Sequence, residues 1–65
     1  MHIIVNGKPM KTATQVVKDL VREQAGADAH VAVVLNDCVV PAAAHATMRL
    51  NTGDRIELLT FAGGG

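Results

Sequence analysis

Apolar positions along the chain fall into short blocks, each with its own period and each closed by turn residues. His2 to Val5 is a β-branched run that meets Asn6-Gly7 at once. Both residues of an Asn-Gly pair tolerate positive φ, so this pair predicts a two-residue hairpin. Lys8 to Lys11 then reads as the returning strand, and Pro9, which has no N–H to donate, marks that strand as an edge. Val16, Val17, Leu20 and Val21 recur at i, i+1, i+4 and i+5, one apolar stripe on a helix of about three turns. Lys18, Asp19, Arg22 and Glu23 take its solvent face. Thr12 and Gln15 have capping-box spacing, Thr14 is the alternative N-cap, and Gly26 is the stop.

The second half carries strands. Val31 to Leu35 is a continuous apolar run, which predicts a strand buried on both faces. Asn36-Asp37 turns it into Cys38 to Val40, ended by Pro41. Ala42 to Ala46 forms a turn of helix, Asn51-Thr52-Gly53-Asp54 is a turn cluster, and Arg55 to Thr60 is the last strand. The order is β-β-α-β-β-β: an α+β domain with one helix against one mixed sheet of four to five strands. Alternation assigns the faces. Ile3, Val5, Val33, Leu35, Ile56 and Leu58 are in phase to meet the helix. Ile4, Val34, Leu59 and Phe61 fall on the opposite face, where a solvated sheet is normally polar, and they predict a docking surface for a partner.

Composition narrows the function classes. At 65 residues the chain is one domain. A chain of this size buries only about 60% of its unfolded surface, which leaves no room for a deep active site beside a core. Six Lys plus Arg balance six Asp plus Glu, and Phe61 is the single aromatic. Neither a basic stripe nor a stacking platform is present, so nucleic acid is not an expected partner. The opening MHIIVNGKP lacks the layout of a signal peptide, and no apolar run approaches the ~20 residues of a membrane span. These features predict a soluble, cytoplasmic protein with no membrane partner.

Chemistry-bearing side chains are few. Cys38 is the single thiol and fits a small apolar residue at a strand start better than a redox or sulfur-bearing nucleophile. His2, His30 and His45 lack the spacing of helical metal ligands, and no metal site is expected. Asp54 and Glu57, flanking Arg55, read as solvated charges. The notable feature is Gly63-Gly64-Gly65. Three glycines cost the most backbone entropy to order, so residues 62 to 65 are expected to form a flexible tail on a domain of residues 1 to 61. Without side chains, Gly63 and Gly64 can thread a narrow channel in a partner enzyme. Phe61 to Gly65 could reach about 17 Å when extended. The carboxylate of Gly65, once activated as an acyl-adenylate, is an electrophile carried on the protein.

The segments IIVNGKP, TQVVKDLV, VAVVLNDCVVP and TGDRIELLT, in that order and followed by the terminal GG, resemble the ubiquitin-like sulfur carriers of thiamine biosynthesis, the ThiS family. The resemblance covers essentially the whole chain. It implies a β-grasp fold and a carrier that is a co-substrate, not an enzyme, and binds no cofactor of its own. An E1-like adenylyltransferase using ATP and Mg²⁺ would adenylate Gly65. A cysteine desulfurase would be the indirect source of sulfur, passed on as a persulfide. The resulting thiocarboxylate would serve thiazole synthase. The small subunit of molybdopterin synthase shares the fold and the diglycine but usually has a proline before its glycines, which LLTFAGGG lacks. Sulfur carriers for cysteine or methionine synthesis share the chemistry. A ubiquitin-like modifier joined to lysines through Gly65 and a non-covalent binding module are the readings from other classes.

Overall fold

Two asparagines at the tips of tight turns organise the sheet. In the computed structural model, which describes residues 1–26 and 30–60, strand β1 (His2–Val5) turns through Asn6-Gly7 into β2 (Lys8–Lys11). Strand β3 (Val31–Leu35) turns through Asn36-Asp37 into β4 (Cys38–Val40). Asn6 and Gly7 have φ of 50° and 80°; Asn36 and Asp37 have φ of 49° and 70°. Two consecutive positive values mark the type I′ turn, whose twist matches that of the strands it joins. Val5 therefore lies opposite Lys8, and Leu35 opposite Cys38.

Strand β5 (Arg55–Thr60) inserts between the two hairpins, giving the order β2-β1-β5-β3-β4. It runs parallel to β1, with Val5 beside Ile56, and antiparallel to β3, with Leu35 beside Ile56 and Val31 beside Thr60. Pro9 lies on the edge strand β2, as its missing N–H requires. Each turn asparagine also bonds β5 from its flank. The main-chain N–H of Asn6 donates to Ile56 O at 2.9 Å, and Asn6 Oδ1 accepts the Leu58 N–H at 2.8 Å. The Asn36 N–H donates to Arg55 O at 2.8 Å, and Asn36 Oδ1 accepts the Arg55 N–H at 2.9 Å. A left-handed residue swings its own carbonyl away from the ladder, and here the side-chain oxygen stands in for it.

Helix α1 (Val17–Ala25) covers one face of the sheet. Its start differs from the capping-box expectation. The residue before it, Val16, is extended and has no side-chain cap. The N–H groups of Val17 and Lys18 are met instead by the main-chain oxygens of Met48 and His45, at 2.9 and 2.8 Å. Thr12 is buried and otherwise engaged: its Oγ1 accepts the Thr14 N–H at 3.1 Å and donates to the Glu23 carboxylate at 3.3 Å. Gly26 ends the helix with φ of 99° and donates to Arg22 O, the stop that its position predicts.

The core lies between α1 and the sheet. Ile3, Val5, Val17, Leu20, Val21, Val33, Ile56 and Leu58 are buried, so the alternation is correct on every one of these strands. Leu35, also placed on this face, is half-buried and packs against the same cluster. Val40 and Leu50 close the core from β4 and the following connection. Strand β3 is not buried on both faces as its apolar run suggests: Val33 alone is fully covered, and Val34 is half-buried. Residues 42 to 44 form a single 3-10 turn, Ala42–Ala44.

Leu20 has no exposed surface and sits where the helix meets the sheet. Leu20→Ala is expected to cost about 2–5 kcal/mol. For a domain of this size each kcal/mol moves the midpoint by roughly 4–8 °C, so thermal denaturation should show a fall of ten degrees or more.

Candidate functional site

The sheet face turned away from α1 carries the candidate site. Register places its residues in rows across the strands. Ile4 on β1 lies beside Arg55 on β5. Val34 lies between Glu57 on β5 and Val39 on β4, and Ala32 lies beside Leu59. Along β5 this face therefore reads Arg55, Glu57, Leu59. Leu59 is 51% exposed and Val39 is 75% exposed, the two large apolar side chains left in water among the described residues. Ile4 and Val34, from the same predicted surface, are half-buried. They line a shallow cavity of about 140 Å³ with Asp37, Arg55 and Glu57.

The face is thus amphipathic. Apolar Val34, Val39 and Leu59 adjoin charges on β5 and the β3–β4 turn. Arg55 bonds Asp37 at 3.0 Å, with both side chains mostly exposed. Such a pair contributes little to stability, which leaves its charges free to pair with a partner. Asp54 does not act with Glu57: it accepts from Asn36 Nδ2 at 3.0 Å and from the Asn51 N–H at 2.7 Å, closing the turn before β5. Of the four predicted docking residues, Ile4, Val34 and Leu59 share this face. Phe61 lies outside the described residues, as do Gly63, Gly64, Gly65 and the expected boundary between domain and tail. Val39 was missing from the expectation. Its signal was available: in a two-residue hairpin Val39 must pair with Val34, so an outward Val34 carries Val39 with it.

Among the described residues, other chemistry-bearing side chains do not gather. Cys38 is exposed at the start of β4, on the end of the hairpin and not packed as a small apolar residue. His45 Nε2 is 3.1 Å from Val40 O, a local contact. Among the described residues no group of three or more His, Cys, Asp or Glu could hold a metal ion, and no helix is long and apolar enough to cross a membrane.

Comparison with known proteins decides the family. The ThiS family model matches residues 3–65. The chain belongs to the ThiS family. The ThiS thiamine biosynthesis protein from Geobacter metallireducens, in its crystal structure, is 34% identical, with a TM-score of 0.80 over the whole of both chains. The solution structure of a thiamine biosynthesis protein from the same organism gives 33% identity and a TM-score of 0.81, over all of this chain and 88% of that one. The ThiS-family chain therefore has the ubiquitin-like β-grasp fold. A thiazole synthase from Paramagnetospirillum magneticum is 30% identical over 66 residues, covering all of this chain and 20% of the relative. The chain thus spans about one fifth of that relative's length.

Adjacent residues of β5 test the assignment of faces. Leu58→Asp buries an unpaired charge against α1 and should unfold the domain. Leu59→Asp should melt close to the parent, because its side chain already meets water. Thermal melts of both variants read this directly; the reverse order of stabilities would place β5 one residue out of register.

Proposed function

We propose that this ThiS-family chain is a sulfur carrier of thiamine biosynthesis, acting as a co-substrate through the α-carboxylate of Gly65. The observation that carries the proposal is the family match, which runs through the glycines to residue 65. An E1-like adenylyltransferase would supply Mg-ATP. A carboxylate oxygen of Gly65 attacks the α-phosphorus and pyrophosphate leaves. A persulfide sulfur, derived from cysteine by a desulfurase, then attacks the acyl carbon and AMP leaves. A thiol of the activating system then attacks the sulfur of the resulting acyl disulfide that is bound to the enzyme, forming a new disulfide and releasing Gly65 as a thiocarboxylate, the form that donates sulfur to thiazole synthase. Support for that acceptor comes from the Paramagnetospirillum magneticum relative, in which a segment like this chain is part of a protein named thiazole synthase.

The described domain suits a carrier role. Strand β5 is held in the middle of the sheet, and the chain continues from it toward the glycines. Gly63 and Gly64 would thread the partner's channel, where any Cβ would collide. Ile4, Val34, Leu59 and Phe61, joined by Val39, would dock on the activating enzyme and on the sulfur acceptor in turn.

With its activating enzyme, Mg-ATP and a sulfur donor, the 65-residue chain should gain the mass difference between sulfur and oxygen, localised to Gly65 by tandem mass spectrometry. Sulfur found on Cys38 instead would mean a persulfide carrier. Deleting Gly65 leaves the carboxylate about 3.5 Å short and should abolish most ATP–pyrophosphate exchange without moving the melting temperature. At the docking face, Val39→Asp or Leu59→Asp should weaken binding to the activating enzyme by about thirtyfold, the equivalent of ~2 kcal/mol for an interface hot spot. Isothermal titration of each variant checks this, and unchanged affinity removes that residue from the face.

A further inference from the structure

The two turn asparagines make the same kind of bond to β5 at different points. Asn36 serves Arg55, at the strand's entry, on the β3 side. Asn6 serves Leu58, on the β1 side, beyond the last paired residues of β1, Val5 and Ile56. In a parallel ladder the next acceptor for the Leu58 N–H would be the carbonyl of residue 6. Asn6 is left-handed, and its Oδ1 at 2.8 Å takes that acceptor's place. Past Leu58, the pairings of β5 are with β3 alone: Ala32 with Leu59 and Val31 with Thr60. Asn6 is therefore the far end of the β1 flank, at the stretch of β5 from which the chain continues toward Gly65.

We propose that Asn6 is a positioning residue for the reactive end: its side-chain oxygen fixes the β1 flank of β5 at Leu58 and so sets the position of the strand from which the sequence runs on to Gly65. The inference rests on the proposed carrier function. The group it acts on is a carboxylate that must meet the α-phosphate of ATP, and a misplacement of only ~1 Å can cost a hundredfold in rate. Asn6 makes this bond with its amide oxygen and lies off the docking rows of Ile4, Val34, Val39 and Leu59, so it acts through the strand and not through contact with the partner.

The test compares Asn6→Gly, Asn6→Asp and Asn36→Gly in the full chain. Glycine keeps both turns, since it accepts positive φ without strain, and removes the side-chain acceptor. Asn36→Gly loses the matching bond at the strand's entry and a further one to Asp54, so it controls for stability. With the carrier as varied substrate of the activating enzyme, Asn6→Gly should lower kcat about tenfold or more while KM stays within about twofold, the pattern of lost alignment at intact docking. Asn6→Asp, which keeps an acceptor oxygen and suits the turn, should restore kcat. Asn36→Gly should leave kcat near the parent value. By amide hydrogen exchange, protection of Leu59 should fall in Asn6→Gly and hold in Asn36→Gly. Equal kcat and equal Leu59 protection in the two glycine variants, or a rise in KM alone for Asn6→Gly, overturns the inference. No activation of the parent chain would instead remove the carrier function, and the exchange comparison would still decide whether Asn6 holds the strand end.

Discussion

Everything in this domain depends on β5 being gripped along both sides by segments far from it in sequence. The strand supplies two of the largest pieces of core, Ile56 and Leu58, and separates the two hairpins that would otherwise be independent. Neither hairpin could bury its apolar face alone, since a two-stranded hairpin is at best marginal in water. The main-chain ladder to β1 stops at Ile56, and the ladder to β3 begins after Arg55. Asn6 and Asn36 close these two gaps with side-chain oxygens. The residues that make the tight turns possible thus also complete the pairing that the turns interrupt.

The two faces of the sheet are under different demands. On the helix face, shape decides: Ile3, Val17, Leu20, Val33 and Ile56 are covered almost completely, and any loss of volume is felt throughout a small core. On the other face, Val39 and Leu59 stay in water at a cost in solvation that the fold does not recover. Arg55, Asp37 and Glu57 beside them keep that surface wet and limit its stickiness. An apolar centre with charges at its margin is the arrangement expected of a surface that binds and releases.

Much of this was legible in the sequence, for physical reasons that differ from element to element. Asn6-Gly7 and Asn36-Asp37 announce their turns because few residues accept consecutive positive φ. Once the turns are fixed, the period of two assigns Ile3, Val5, Val33, Ile56 and Leu58 to the core without further information. The helix start was not legible. Thr12 and Gln15 have the right spacing for a capping box, but the donors at the start of α1 are satisfied by Met48 and His45, some thirty residues away, and local spacing carries no trace of that. Leu50 is buried outside any strand or helix, where periodicity gives no cue. On the face opposite α1, alternation placed Ile4, Val34 and Leu59 as the register has them. It missed Val39 because only the pairing of β4 with β3 reveals it. The roles of Asn6 and Asn36 toward β5 needed the sheet order itself, whereas the family was legible in the order of IIVNGKP, TQVVKDLV, VAVVLNDCVVP and TGDRIELLT before the terminal GG, and the family match over residues 3–65 bears it out.

The place of β5 has a consequence for biosynthesis. On the ribosome, β1 through β4 emerge while the slot between β1 and β3 is still empty, and neither hairpin has the neighbour that would shield its inner face. The contacts that close the sheet join Val5 to Ile56 and Val31 to Thr60, pairings of long sequence separation that delay folding until both partners exist. A nascent chain interrupted before Arg55 lacks the strand that joins the two hairpins. A chain that closes its sheet has therefore been translated through the strand that leads to the glycines.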